Sequence, residues 1–128
     1  MQNDGKKKIE SFTDLIAWRE GHKLVLEIYK STKAWPKEEL FGLISQIRRA
    51  VVSITSNLAE GFSRSTLKDK ANFYTMALGS LTETQNQLLI ARDLGYLENK
   101  LFHPLAQRTV VISKLTNGLI KKSRSLNP

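Results

Sequence analysis

Apolar side chains recur every three or four residues in four successive segments of this 128-residue chain. Such spacing places them on one side of an α-helix, and no segment shows the period-two alternation of a half-buried strand. The four apolar lines lie within residues 15–29, 40–58, 67–88 and 105–119. Helices with one apolar stripe each and short connections bury those stripes in an antiparallel up-down bundle. The sequence therefore predicts an all-α four-helix bundle that forms one domain over residues 11–122.

Capping residues predict the ends of the first two helices. Thr13 suits the N-cap of the first helix, because its hydroxyl can accept from a backbone N–H of the first turn. Pro36 suits the first turn of the second helix, where no backbone N–H is needed. Gly61 is expected to end the second helix.

The third and fourth helices have similar signals. Thr66 and Asp69 fit a capping box at the start of the third helix, and Gly95 is expected to end it. The fourth helix should begin between Asn99 and Pro104, since proline is tolerated only in a first turn. Polar residues dominate both ends of the chain, which predicts a flexible basic N-terminal tail over residues 1–10 and a C-terminal tail over residues 123–128.

Composition excludes several classes of protein. The chain has no cysteine, which removes disulfide frameworks, zinc–thiolate sites, iron–sulfur clusters and thiol nucleophiles. No segment is long and apolar enough to span a membrane. Lys6–Lys8 are followed by polar residues where a secretory signal needs an apolar core. We therefore expect a cytoplasmic protein without a membrane partner.

The positive charge of the chain is concentrated at its C-terminal end. Residues 1–98 carry 14 basic and 12 acidic side chains, whereas residues 99–128 carry six basic and no acidic ones. A surface of one sign indicates a polyanionic partner, although cations that only keep a bundle soluble would give the same pattern. The candidate nucleic-acid contacts are Lys100, Arg108, Lys114, Lys121, Lys122 and Arg124.

The second helix carries a polar strip with few charges on the side away from its apolar line. Residues 43–63 contain no lysine, whereas a solvated helix face is usually rich in charged residues. This composition favours contact with protein, and the alternative is an uncharged face in solvent. Helical projection brings together Gln46, Arg49, Ser53, Asn57 and Glu60, which we call the α2 polar strip.

The third helix has a similar uncharged stretch around Glu83. Gly79 lies in the middle of this helix, where glycine costs about 1 kcal/mol relative to alanine unless close packing offsets it. Both central helices are thus expected to be covered on two sides. Because one chain supplies one core, this pattern indicates self-association, with Arg48 or Arg49 paired to Glu60 or Glu83.

Residues 46–61 read Gln-Ile-Arg-Arg-Ala-Val-Val-Ser-Ile-Thr-Ser-Asn-Leu-Ala-Glu-Gly. This segment closely resembles the signature of bacterial four-helix bundle proteins encoded in intervening sequences of 23S rRNA genes. Family positions also recur in order at Phe12–Leu15, Trp18, Gly79–Leu81 and Leu94–Leu97. Gly21 stands where relatives often have alanine, and Thr55 where many have proline, which predicts a straighter second helix.

The resemblance implies a left-handed bundle that assembles into a ring, commonly a homopentamer, with no established catalytic activity. A similar fold occurs in accessory proteins of diversity-generating retroelements, which are basic pentamers that bind nucleic acid and a reverse transcriptase. Since fold alone does not establish function, sequence-independent binding of RNA or DNA is the leading hypothesis. The alternative is a protein-interaction scaffold whose basic surface is incidental.

An enzymatic function has little support in the residue pattern. Neither His22 nor His103 follows a glutamate by three positions, as the Glu-x-x-His ligands of di-iron bundles require. Glu60 and Glu83 lack a nucleophile or a phosphate-binding loop beside them, so ion pairing is their favoured role. We therefore expect a non-enzymatic protein with no cofactor and no metal, whose partners are copies of itself and RNA, DNA or another protein.

Overall fold

A computed structural model describes residues 8–125, and residues 1–7 and 126–128 lie outside the described part of the chain. Two short 3₁₀ turns, Phe12–Asp14 and Lys37–Glu39, precede the first and second of four long helices. The helices are α1 (Ile16–Thr32), α2 (Leu43–Ser63), α3 (Leu67–Asp93) and α4 (Asn99–Ser125). Residues 8–125 contain no strand. The predicted all-α four-helix fold is therefore confirmed.

Each helix packs against two neighbours around one core. Helix α1 contacts α2 and α4, and α3 contacts the same two helices. The connections between successive helices are short, which gives the antiparallel up-down arrangement. The α1–α2 and α3–α4 pairs are consequently opposite sides of the bundle. The largest fully buried apolar side chains are Leu24, Ile28, Ile47, Ile54, Leu58, Leu81, Leu88 and Ile112.

The first two α-helices begin later than predicted. Ser11, not Thr13, is the capping residue: its Oγ accepts from the backbone N–H of Thr13 at 3.2 Å, and the carboxylate of Asp14 accepts from the N–H of Ser11 at 3.1 Å. This capping box starts a 3₁₀ turn rather than α1 itself. Similarly, Pro36 precedes the second 3₁₀ turn, and α2 begins only at Leu43.

Gly61 lies inside α2 and does not end it as predicted. A Cβ atom at this position would lie 2.7 Å from Cε1 of Tyr74 on α3. The glycine therefore serves the close approach of α2 and α3 rather than a helix end. Tyr74 is buried at this crossing, and its burial raises the pKa of the hydroxyl above the usual value.

The predicted ends of α3 are confirmed, whereas the predicted end of α4 is wrong. Thr66 Oγ1 accepts from the N–H of Asp69 at 3.1 Å, and Gly95, with a φ of +83°, follows the last turn. Helix α4 begins at Asn99, within the predicted interval, but continues beyond residue 122 with Ser123 buried. Residues 123–125 therefore belong to the bundle and not to a tail.

Two positions that depart from the pattern the sequence resembles, Gly21 and Thr55, face each other between α1 and α2. A Cβ atom at Gly21 would lie 2.9 Å from Cγ2 of Thr55. Helix α2 runs without interruption through Thr55, which keeps the backbone N–H that proline lacks. The missing side chain on α1 thus makes room for the branched side chain on α2.

Candidate nucleic-acid and subunit interfaces

The outward side of α4 carries a stripe of lysines with no acidic residue between them. Lys100, Lys114, Lys121 and Lys122 are exposed, and the helical repeat places them opposite the buried side of α4. These four residues, the α4 basic stripe, extend over about 33 Å of helix. Arg124 is exposed beside them. None of the five side chains has a carboxylate within 4 Å in the described part of the chain.

Arg108, the sixth predicted nucleic-acid contact, lies in the interface between α1 and α4. Its Nε donates to Oε1 of Glu27 at 2.8 Å, and its Nη1 donates to Oε1 of Glu20. The hydrogen bond to Glu27 is the largest cause that raises the pKa of Arg108 above its usual value, against a smaller lowering by desolvation. Two carboxylates of α1 therefore already neutralise Arg108 within the chain, and its contact with nucleic acid stays a prediction.

The α2 polar strip is partly exposed and partly packed against α3. The Ser53 hydroxyl lies 2.8 Å from the Ser80 hydroxyl, and the Asn57 amide donates to Ser53 Oγ at 3.1 Å. The contact between Ser53 and Ser80 connects the middle of the strip to α3 of the same chain. The exposed members are Gln46, Arg49 and Glu60, and the half-buried ones are Ser53 and Asn57.

Within one chain, Arg48 and Glu60 have partners other than those predicted. Arg48 Nε donates to Oγ1 of Thr32 at 2.9 Å, and its guanidinium lies over the ring of Tyr29, 4.6 Å from the centroid. Glu60 forms an ion pair at 2.8 Å with Arg64, which follows it by four residues. Arg48 and Glu60 are therefore not paired within one chain, and their pairing between copies stays a prediction.

Arg49 and Glu83 lie closer to the prediction but are not paired within the chain. Both line a polar cleft of about 450 Å³ between α2 and α3. The two groups are more than 4 Å apart, and Glu83 accepts instead from Nε2 of Gln87 at 3.3 Å. Pairing between copies of the chain stays a prediction.

A largely apolar surface adjoins the α2 polar strip, and Arg49 and Ser53 of the strip also line it. Phe41 is 92 % exposed and Leu40 is 47 % exposed. With Tyr29 and Val52 they line an open cleft of about 720 Å³ along α1 and α2, the Phe41 cleft. Helical spacing predicts that Leu40 belongs to the apolar core line. This prediction is wrong, because Leu40 lies in the exposed turn before α2. The available sequence signal was Gly42, which interrupts the helical pattern.

Polar side chains in the uncharged stretch of α3 form hydrogen bonds within their own chain. Thr84 is fully buried and donates to the carbonyl of Ser80 at 2.9 Å, and Gln85 donates to Oγ1 of Thr109 on α4 at 3.0 Å. Gly79 differs, because it is exposed and an added Cβ would have no atom within 4 Å. Nothing in its own chain explains a glycine at that position.

The remaining candidate side chains are aromatic residues, histidines and carboxylates. Trp35 and Tyr74 are buried in the core. Trp18 is half-buried and stacks on the exposed His22, with 4.7 Å between ring centroids. Among residues 8–125 no group of three or more His, Asp or Glu side chains could hold a metal ion. No helix in that range has the length and apolarity needed to cross a bilayer.

Comparison with known proteins adds a family and a solved fold. None of the curated proteins matches this chain. The crystal structure of a protein of unknown function from the S23 ribosomal protein family of Bacteroides thetaiotaomicron is similar, with a TM-score of 0.77 and 22 % identity, over 83 % of this chain and 96 % of that chain. This likeness shows a shared fold. The model of the family described as 23S rRNA-intervening sequence protein matches residues 13–118, and the chain therefore belongs to that family.

Proposed function

We propose that this protein is a non-enzymatic, cytoplasmic homo-oligomer that binds RNA or DNA without sequence specificity through α4. The pentameric ring implied by the family resemblance is the expected assembly. The observation that carries the proposal is the α4 basic stripe, which lies opposite the core and has no counter-ion among the described residues. The family name, which refers to 23S rRNA, makes RNA the first polyanion to test.

The chemistry of the stripe favours the backbone of a nucleic acid over its bases. Lysines bind phosphate oxygens and release condensed counterions, which gives affinity with little sequence information. If each of the four lysines contacts one phosphate, raising the salt concentration from 50 to 200 mM should weaken binding by about 50- to 150-fold. Repetition of the stripe around an oligomer would extend the contact along one strand.

A protein-interaction scaffold is the second candidate, and the outward side of α2 favours it. That side has no lysine over residues 43–63 and carries the apolar Phe41 cleft. Interface cores are depleted in lysine and enriched in aromatic residues and arginine. This side of the molecule is therefore better suited to protein than to phosphate.

Titration of a fluorescent single-stranded RNA and a duplex DNA tests the proposal. The variant K114E/K121E/K122E should lose at least about 50-fold in affinity at 50 mM salt, because three phosphate contacts become repulsive. The matched control K33E/K37E/K68E makes the same charge change at lysines that are exposed elsewhere. It should bind within a few-fold of the unchanged protein, and both variants should keep the original mass by light scattering.

Three results would count against the proposal. Absence of binding at low salt would leave the scaffold as the better function. Full affinity in the α4 variant would show that another surface binds the nucleic acid. Equal loss in the two variants would show that net charge alone attracts the ligand.

A further inference from the structure

Phe41 is the most exposed large apolar side chain in the described part of the chain. It lies in the turn before α2, beside Leu40 and at the edge of the Phe41 cleft. A phenyl ring held in water on a short ordered turn is unfavourable, and aromatic residues that protrude in this way are typical anchors of protein interfaces. A partner surface that receives the ring would remove it from water.

A groove between α3 and α4 has the size and polarity to accept a phenyl ring. Its volume is about 270 Å³, and cavities of roughly 150 Å³ already bind benzene. Its lining includes Leu89, Phe102, Ala106 and Val110 and contains no charged side chain. Leu89 and Val110 are 41 % and 40 % exposed, so this α3–α4 groove is open to a partner.

Phe41 and the α3–α4 groove lie on different sides of the bundle. Phe41 lines the cleft along α1 and α2 and also the polar cleft between α2 and α3, whereas the α3–α4 groove is lined by α3 and α4 alone, across the bundle from the α1–α2 pair. The two surfaces cannot meet within one chain, but every copy offers both. Contacts between unlike surfaces repeat head to tail and close into a ring when the rotation permits.

We propose that Phe41 of one copy inserts into the α3–α4 groove of the next copy. This inference rests on the self-association proposed above and adds which surfaces meet and that they are unlike. A second copy of the chain is the partner for both surfaces, because each copy carries an exposed phenyl ring and an uncharged groove of matching size. No other protein is then needed to cover them.

Unpaired charges beside the two surfaces support this occupant. Arg49 lines the Phe41 cleft, and Glu98 lies one turn before the groove residue Phe102. Neither charge has an oppositely charged partner within 4 Å in residues 8–125. Docking of the two surfaces would offer Glu98 of the next copy as a partner to Arg49, whose neighbour Glu83 in the α2–α3 cleft of its own chain lies more than 4 Å away.

Disulfide trapping tests the contact directly, because the chain contains no cysteine. The variants Phe41→Cys and Val110→Cys, mixed and mildly oxidised, should form a crosslinked heterodimer, while each variant alone should stay uncrosslinked. The double variant should form a covalent ladder that ends at the full oligomer on a denaturing gel. Leu26→Cys is the matched control, since Leu26 is 58 % exposed on α1 and lines neither surface. Mixed with Phe41→Cys, it should give no crosslink.

The possible failures are distinguishable. Crosslinking of Phe41→Cys with itself would show that like surfaces meet and would overturn the inference. An oligomer by light scattering without the mixed crosslink would overturn this contact and leave self-association intact, whereas a monomer would overturn both. A variant Phe41→Ala that keeps the oligomer but loses RNA affinity would assign the ring to base stacking instead.

Discussion

Helices α2 and α4 both bury one side in the same core, yet their outward sides have opposite chemistry. Helix α2 has no lysine and three charged residues, whereas α4 has six basic residues and no acidic one. Beside α2 lies the apolar Phe41 cleft, and along α4 lies the α4 basic stripe. Packing of the inner sides does not require this difference.

We propose that the difference reflects which partner each outward side contacts. Lysine is excluded from the cores of protein interfaces, where its strongly hydrated ammonium group would lose water. The same group binds phosphate well at an exposed surface. The outward side of α2 is thus typical of a protein contact, and that of α4 is typical of a polyanion contact. Three pairs of matched substitutions can break or sharpen this comparison.

The largest effect is expected from a lysine placed on each side. Val52 and Val111 are 37 % and 38 % exposed, on α2 and α4 respectively. Val52→Lys should raise the concentration at which the oligomer dissociates by at least about 100-fold, since burying an unpaired ammonium in an interface costs several kcal/mol. Val111→Lys should leave the oligomer intact and tighten RNA binding slightly. Native mass spectrometry over a dilution series and the RNA titration measure the two effects.

This pair can also refute the comparison. If both lysine variants assemble like the unchanged chain, the outward side of α2 is a solvent face that happens to lack lysine. Dissociation by Val111→Lys alone would instead move the subunit contact to the centre of α4.

A smaller effect separates the paired cation of α4 from an unpaired one. Arg108→Gln should lower the free energy of unfolding by about 1–2 kcal/mol, because it breaks the charge-assisted hydrogen bonds to Glu20 and Glu27 of α1. Solvent partly screens the carboxylate of Glu27, which keeps the loss in this range. Lys114→Gln should change stability by less than about 0.5 kcal/mol but reduce the salt slope of RNA binding by about 0.7. Urea unfolding and RNA titration of both variants give the four values.

The reverse outcome would be informative. If Arg108→Gln weakens RNA binding as much as Lys114→Gln while stability is unchanged, Arg108 exchanges Glu20 and Glu27 for phosphate when the nucleic acid binds. The α1–α4 ion pairs would then belong to the binding surface after all.

The sequence could predict the features that depend on local spacing. The apolar lines apart from Leu40, the Thr66 cap and the Gly95 helix end follow from side chains within one or two turns of each other, and these features are present. The exposed lysines of α4 follow from the same helical repeat, because they lie opposite the line through Leu105 and Ile112.

Features that depend on the register between helices could not be predicted in this way. Arg108 lies 81 and 88 positions from Glu27 and Glu20, so its neutralisation is set by how α1 packs on α4. The exposure of Phe41 depends on a turn that helical spacing had assigned to a helix. The sequence predicts a helix end at Gly61, because the close contact of this glycine with Tyr74 is not visible in the sequence.

The smallest expected effect compares the exposed glycines Gly79 of α3 and Gly118 of α4. At both positions an added Cβ has no atom of residues 8–125 within 4 Å outside its own helix backbone, so alanine should stabilise each helix by up to about 1 kcal/mol. Gly118→Ala should raise the free energy of unfolding by that amount and leave assembly unchanged. Gly79→Ala should stabilise the subunit similarly but weaken assembly several-fold, because we expect another copy to cover α3 there. Equal behaviour of the two variants, by urea unfolding and native mass spectrometry, would place Gly79 in solvent and confine the covered surface to α2 and the α3–α4 groove.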